Sequence, residues 1–137
     1  MQLTPLIALH MGCAIAATAV GPIALWARRG STAPRPRLHR AAGYAFTLLM
    51  LGAAISALFI RDWREPNWHG YTLIHLLVPL TFGSLTCAFI ALAQGNFARH
   101  SKIMRRLYLG ACVTAGLFTL LPSRYLGHLL WSGLGLI

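Results

Sequence analysis

Histidines are the residues of this sequence with the clearest capacity for chemistry. Four of the six histidines lie within, or at the threshold of, long apolar stretches: His10, His39, His75 and His100. Neutral imidazole binds iron, copper or zinc through a ring nitrogen. An ionisable residue inside a membrane segment also points to a functional site by default. These four residues are therefore the candidate ligands, whereas His69 and His128 are expected at the surface.

The depth of the four histidines divides them into two pairs. If each apolar stretch is one helix, His10 and His75 share a level in the outer half of a membrane. His39 and His100 share a level at its inner boundary. Diagonal helices of a four-helix ring are about 14 Å apart, which suits two imidazoles that face one metal. The pattern predicts b-type haem at both pairs, or a metal ion held by His10 and His75.

A structural role for the same residues stays open at this stage. His10 and His75 are equally suited to hydrogen bonding with a neighbouring helix. His39 and His100 stand among basic residues and are equally suited to contact with lipid phosphates. Cys13, one helical turn from His10, is a further candidate ligand.

The composition indicates a membrane protein. Of 137 residues, 57% are hydrophobic and 10% are charged, and the mean hydropathy is +0.63. Soluble domains carry about 25% charged residues. The net charge of +10 could indicate nucleic-acid binding. However, the basic residues lie in short clusters between apolar runs rather than on a soluble basic face, so nucleic acid is not the expected partner.

The apolar runs predict an all-α fold in a single membrane domain, residues 1–137. Spans are expected at about 3–28, 38–61, 71–94 and 97–121, because roughly 20 apolar residues cross the hydrocarbon layer. The apolar tail at about 124–136 is shorter and is expected to form an interfacial helix. Short connections predict an up-down-up-down four-helix bundle. Small residues spaced four apart predict its packing seams, at Gly52/Ser56, Gly83/Cys87 and Gly110/Thr114.

Basic residues predict the orientation in the bacterial inner membrane. Nine of them lie between the first two spans or at the start of the fourth: Arg28, Arg29, Arg35, Arg37, Arg40, Arg99, Lys102, Arg105 and Arg106. The opposite side carries Arg61, Arg64 and Arg124 with the acids Asp62 and Glu65. The positive-inside rule puts the basic loops in the cytoplasm, against anionic lipids, and both termini outside.

Other chemistry is poorly represented in the sequence. The three cysteines are odd in number and all fall inside spans, so a disulfide framework is not expected. Both acidic residues belong to the outer loop, and the HExxH and GxSxG motifs are absent. An intramembrane hydrolase is therefore rejected. The protein is not expected to be an enzyme, and if it is one, a membrane oxidoreductase is the expected class.

Several strings resemble the bacterial predicted membrane proteins grouped as the DUF2306-type domain of unknown function: "HMGCAIAATAVGPIALWARRG", "LHRAAGYAFTLLMLGAAISALFI", "IHLL" and "RHSKIMRRLYLGACVTAGLFTLLPSRYLGHLLW". The resemblance covers nearly the whole chain. It implies a small multi-span inner-membrane protein and brings no established reaction. Besides the four inward histidines, it marks these supporting positions: Arg40, Gly43, Met104, Tyr108, Gly110, Pro122, Arg124 and His128.

Two functions follow from these patterns. The arrangement of paired histidines is similar to that of four-helix membrane cytochromes b, which implies a haem-b electron carrier that exchanges electrons with quinone or a membrane complex. The alternative is a non-redox membrane protein: a small transporter, a metal or lipid handler, or an accessory subunit of a larger complex. Oligomer formation is compatible with both.

Overall fold

The computed structural model describes residues 3–29, 36–61, 63 and 68–137, apart from the side chains of residues 28 and 29. It consists of α1 (Pro5–Arg29), α2 (Pro36–Phe59), a 3₁₀ turn (Leu73–Leu76), α3 (Leu77–Ala93), α4 (Phe97–Leu107), a π-helical segment (Tyr108–Thr114), α5 (Ala115–Thr119) and α6 (Tyr125–Gly133). Helix accounts for 82% of the described residues, which contain no strand. The predicted all-α fold is confirmed.

Some expectations from the sequence lie outside the described residues. They concern the linker at 30–35 and most of the outer loop at 62–67, with Asp62, Arg64 and Glu65. The side chains of Arg28, Arg29 and Arg35, which count toward the orientation, also lie outside them.

Three helices of the described chain are long and apolar enough to cross a membrane: Pro5–Ala27, Pro36–Phe59 and Leu73–Ala93. The fourth expected span differs from these because it is not one uniform helix. Its first part, α4, carries His100, Lys102 and four arginine or serine side chains, and a π-helical segment separates α4 from α5. The described residues therefore contain three candidate spans. A fourth span through α4 and α5 is part of the function that we propose.

Local signals in the sequence explain where α3 ends and α4 begins. Gly95 adopts a left-handed φ of 71°, which a residue with a Cβ rarely takes. The amide of Asn96 donates to the carbonyl of Ala91, and that of Gly95 to the carbonyl of Leu92, as in a Schellman motif. The Asn96 side chain then accepts from the amide of Arg99 at 3.0 Å. Asn96 is therefore the N-cap of α4.

The core draws side chains from four helical stretches. A buried cluster joins Ala17 of α1, Phe46 and Met50 of α2, Leu85 of α3, and Leu107 and Cys112 at the end of α4 and in the π-helical segment. The segments α1 and α2 pack together most extensively, α2 also packs on α3, α3 packs on α4, and the π-helical segment returns to α1. Each helix thus has two neighbours in the core.

Tyr108 joins the π-helical segment to α1 at a point that the sequence prepares. Pro22 lies inside α1 and has no amide hydrogen, so the carbonyl of Thr18 lacks its helical donor. The Tyr108 hydroxyl donates to that carbonyl at 3.0 Å. A Cβ at Gly21 would lie 2.5 Å from the Tyr108 ring, so glycine is needed to admit the aromatic side chain. Gly21 thus leaves room for the Tyr108 ring, and Pro22 leaves the acceptor for its hydroxyl.

The C-terminal helix α6 folds back on the end of α5. The Trp131 indole donates to the carbonyl of Leu120 at 2.8 Å. Gly127 is buried against the backbone of Leu121 and leaves no room there for a side chain. With nine residues, α6 is about 14 Å long, too short to cross a bilayer by itself.

Candidate histidine site

His39 is the fourth residue of α2 and its half-buried ring contacts the preceding helix. Its Nδ1 lies 2.8 Å from the carbonyl oxygen of Ala24, five residues before the end of α1. A carbonyl oxygen only accepts, so the proton of the neutral ring sits on Nδ1. Within the described residues, no hydrogen bond engages Nε2 of His39. That nitrogen keeps a free lone pair.

His100 repeats this arrangement in the second half of the chain. It is the fourth residue of α4, and its Nδ1 lies 2.9 Å from the carbonyl oxygen of Ala88. Ala88 is again five residues before the end of its helix, α3. The Phe89 ring meets the imidazole nearly edge-on at 6.4 Å between centroids. His39 and His100 therefore occupy equivalent positions in two helix pairs, and Nε2 of His100 is likewise without a hydrogen bond among the described residues.

His10 is held by α2. Its Nδ1 lies 2.9 Å from the carbonyl oxygen of Ala53 and 3.1 Å from the hydroxyl of Ser56. The Ser56 hydroxyl itself donates to Ala53 at 3.0 Å, so both polar side chains share one acceptor. The resulting tautomer carries its proton on Nδ1, as in His39. Among the residues that the structure describes, no hydrogen bond engages Nε2 of His10.

His75 differs from the other three because both of its ring nitrogens are engaged. The amide of Thr72 donates to Nδ1 at 3.1 Å, which makes Nδ1 the acceptor nitrogen. Nε2 then carries the proton and donates to the carbonyl of Ile60 at 3.0 Å. The Tyr71 ring packs edge-on against the imidazole, 5.1 Å between centroids. In this arrangement His75 closes the connection from α2 to α3 and offers no lone pair to a metal.

The four histidines share helical register with buried residues. His39 precedes buried Ala42 by three positions and Phe46 by seven. His100 precedes Leu107 by seven, and His10 precedes Ala17 by seven. Residues seven apart lie on one face of a helix, so these rings belong to the faces that build the core. His75 precedes buried Val78 by three.

The described residues contain no group of three or more His, Cys, Asp or Glu side chains suited to a metal ion. A zinc site with three or four protein ligands therefore has no basis in this part of the chain. The described histidines could therefore supply a metal or a haem iron with ligands only in pairs. Cys13 lies beside Gly52, whose Cβ would be 3.1 Å from its sulfur, and serves the α1–α2 contact.

The supporting positions fall into different environments. Around Gly43, one turn after His39, an added Cβ would meet no atom within 4 Å. Met104 packs against the core, whereas Arg40 is exposed. Arg124 immediately precedes α6, and His128 is exposed on that helix. Along the chain, Arg124 and His128 are both far from the N-terminal turns of α2 and α4, which carry His39 and His100.

Two features of the site were missed from the sequence. The carbonyl acceptors at Ala24 and Ala88 belong to the backbone, and nothing in the residue type marks them. Tyr108 was noted only by resemblance, although Pro22 gives a usable signal: a proline inside an apolar helix leaves one carbonyl in need of a donor. Tyr108 is that donor.

The model of the family described as "Predicted membrane protein (DUF2306)" matches residues 7–131. The chain belongs to the DUF2306 family. The matched range includes His10, His39, His75 and His100. It also includes Tyr108, the Gly21-Pro22 pair that Tyr108 contacts, and α6 as far as Trp131. This DUF2306 protein is therefore a membrane protein, as the composition predicted. No curated protein and no solved structure matches the chain.

Proposed function

We propose that this DUF2306 protein is a transmembrane electron carrier that holds a b-type haem between His39 and His100. The observation that carries the proposal is the equivalence of these two residues. Each is the fourth residue of its helix and donates Nδ1–H to a carbonyl five residues before the end of the preceding helix. Each keeps Nε2 free for a ligand bond.

The hydrogen bonding suits an axial ligand. A metal-ligating histidine almost always donates its other ring N–H to a carboxylate, a carbonyl or water, which fixes the tautomer and the ring orientation. Haem iron accepts histidine as an axial ligand, and the second bond to the ring tunes its potential. Ala24 and Ala88 supply that second bond. Haem would add one-electron chemistry, and the chain would supply ligands, burial and charge.

The surroundings of the pair are compatible with the cofactor. Gly43 leaves open space one turn from His39. Arg40 lies next to His39 in sequence, and its side chain is exposed. A cation in this position suits a carboxylate of the haem propionates. Electrons would pass to a membrane-confined partner, either quinone or a subunit of a larger complex.

The proposal includes the topology of the protein. The fourth span consists of α4, the π-helical segment and α5, which run from 97 to 119 without leaving the helical region. With α1, α2 and α3 it forms an up-down-up-down bundle in which α2 and α4 are diagonal. Arg37, Arg40, Arg99 and Lys102 then lie on the cytoplasmic side of the inner membrane, and both termini lie outside.

The outer pair is a weaker site in the same proposal. His10 presents a free Nε2, but His75 uses both of its nitrogens on Thr72 and Ile60. A second haem, or a metal ion, would require His75 to release the carbonyl of Ile60. We therefore assign the first haem to His39 and His100.

A non-redox role is the second candidate, and the double engagement of His75 favours it. If all four histidines serve only as hydrogen-bonded links between helices, the protein is a small transporter, a metal or lipid handler, or an accessory subunit. Absorption spectroscopy separates the two candidates. The full chain, purified from haem-replete cells, should show a Soret band that shifts on reduction. Colourless protein would leave the non-redox role.

A further inference from the structure

A groove of about 680 Å³ runs along the outside of the bundle between α3 and α4. It is separate from the four histidines, none of which lines it. Its α3 wall includes Gly83, Ser84 and Cys87, and its α4 wall includes Ile103 and, beyond that helix, Ala111. From residue 79 to residue 87 of α3 the groove extends about 12 Å along the helix. The feature is an apolar channel with a defined length.

One end of this groove is strongly basic. Arg99, Lys102 and Arg106 line it and recur three and four residues apart, so they lie on one face of α4. All three side chains are exposed. The chain holds twelve Lys and Arg residues against two acids, so most of its cations have no carboxylate to pair with. This end of the groove is thus suited to an anion.

The small residues of α3 explain why the groove is open. The spacing of Gly83 and Cys87 predicted a packing seam like that of Gly52 and Ser56. Gly52 does face a neighbouring helix, with its Cβ direction 3.1 Å from the Cys13 sulfur. An added Cβ at Gly83 would instead meet no atom within 4 Å, and Cys87 is exposed. The α3 seam is therefore built like a contact surface, but no helix of the described residues lies upon it.

We propose that the groove is a binding site for one anionic phospholipid of the cytoplasmic leaflet. The phosphate binds at Arg99, Lys102 and Arg106, and an acyl chain lies along Gly83, Ser84 and Cys87. Anionic headgroups are attracted to clusters of Lys and Arg at the membrane boundary, and small residues admit a chain close to the helix backbone. An anionic phospholipid suits both parts of the groove, because its acyl chain covers the apolar wall and its phosphate pairs with the three cations.

Native mass spectrometry of the full-length protein in detergent tests the site directly. The probes are dioleoylphosphatidylglycerol and dioleoylphosphatidylcholine, which share acyl chains and differ in headgroup charge. The first should bind with a stoichiometry of one and at least about tenfold more tightly than the second. Equal binding of the two lipids would overturn the proposal.

A matched pair of charge variants separates the groove from general attraction. The double variant Lys102→Gln, Arg106→Gln should lose at least about tenfold in phosphatidylglycerol affinity. The control is Arg37→Gln, Arg40→Gln, which removes the same charge from exposed positions outside the groove. An equal loss in both variants would overturn the proposal. If the first variant fails to fold by circular dichroism, Lys102→Gln alone replaces it, with Arg40→Gln as its control.

A second pair of variants tests the apolar part of the groove. Gly83→Leu fills the channel, whereas Gly12→Leu adds the same side chain at an exposed helical site that also has no atom within 4 Å. Only the first should weaken phosphatidylglycerol binding. If Gly83→Leu binds like the native chain, the headgroup contacts alone account for the affinity and the groove site is wrong. A dimer that dissociates in Gly83→Leu and excludes the lipid would assign the groove to a second copy instead.

Discussion

The Nδ1 of His100 lies 2.9 Å from the carbonyl oxygen of Ala88, and this contact has a counterpart 64 residues earlier in the chain. Ala24 and Ala88 are 64 residues apart, and His39 and His100 are 61 apart, so the two helix pairs differ by three residues in their connections. The contact ties each basic helix start to the end of the helix before it. Because Nδ1 carries the proton in both rings, the lone pair of each imidazole is on Nε2. The proposed haem ligation depends on these two lone pairs.

Replacing His39 or His100 by asparagine separates the two roles of the ring. The asparagine Nδ2 occupies nearly the same distance from Cβ as the imidazole Nδ1 and can donate to the same carbonyl. His39→Asn and His100→Asn should therefore lose haem but keep the apparent Tm that the haem-free native chain shows in detergent. His39→Ala and His100→Ala should lose haem and also about 0.5–1.5 kcal/mol of stability, the net value of a hydrogen bond. Thermal unfolding followed by circular dichroism measures the apparent Tm, and the pyridine haemochrome assay measures the haem content.

His75→Ala tests which pair binds the first haem. Its loss removes hydrogen bonds to Thr72 and Ile60, so the apparent Tm should fall. Haem content should remain near that of the native chain, because the assigned ligands are elsewhere. If His75→Ala loses its haem while His39→Asn retains it, the outer pair is the site and our assignment is reversed.

Tyr108 and Pro22 form a coupled pair that a double-mutant cycle can measure. Tyr108→Phe leaves the carbonyl of Thr18 without a donor, which should cost about 1–3 kcal/mol for an unsatisfied buried group. In a Pro22→Ala background, the new amide supplies the helical donor, so the same change should cost clearly less. Additive losses across the four proteins would show that the hydroxyl does not compensate for the proline. Apparent Tm values in one detergent supply the measurement.

Gly127 is the position at which α6 tolerates no side chain. Gly127→Ala would force a Cβ into the backbone of Leu121 and push α6 away from α5. The Trp131 indole should then lose its bond to Leu120, with a red-shifted fluorescence maximum and faster proteolysis of the tail. Gly133→Ala is the control, because no atom lies within 4 Å of its Cβ direction and alanine favours helix by about 1 kcal/mol. Identical spectra for the two variants would contradict this packing.

The sequence was sufficient for the features that have a local cause. Apolar runs of about 20 residues predicted α1, α2 and α3. Gly95 and Asn96 give a local signal for the boundary between α3 and α4, because glycine ends a helix and asparagine caps the next one. These features depend on residue type and periodicity, which the sequence displays directly.

Other features depend on which backbone atom comes next to a side chain, and periodicity does not reveal that. The tautomer of His10 is set by the carbonyl of Ala53, and the opposite tautomer of His75 is set by the amide of Thr72 and the carbonyl of Ile60. The π-helical segment begins at Tyr108 and has one extra residue per turn, and no residue type in the sequence marks it. The hydroxyl of Thr114 donates to the carbonyl of Leu109 within this segment. The seam at Gly83 and Cys87 has the pattern of a helix contact, but it faces an open groove.

The most direct measurement is the oxidised and reduced absorption spectrum of the full chain after expression in haem-replete cells, recorded beside His39→Asn and His100→Asn. The account predicts a low-spin b-type spectrum in the native protein and loss of the bound haem in each variant, with folding intact. Haem-free native protein, or a spectrum that both variants retain, would contradict it.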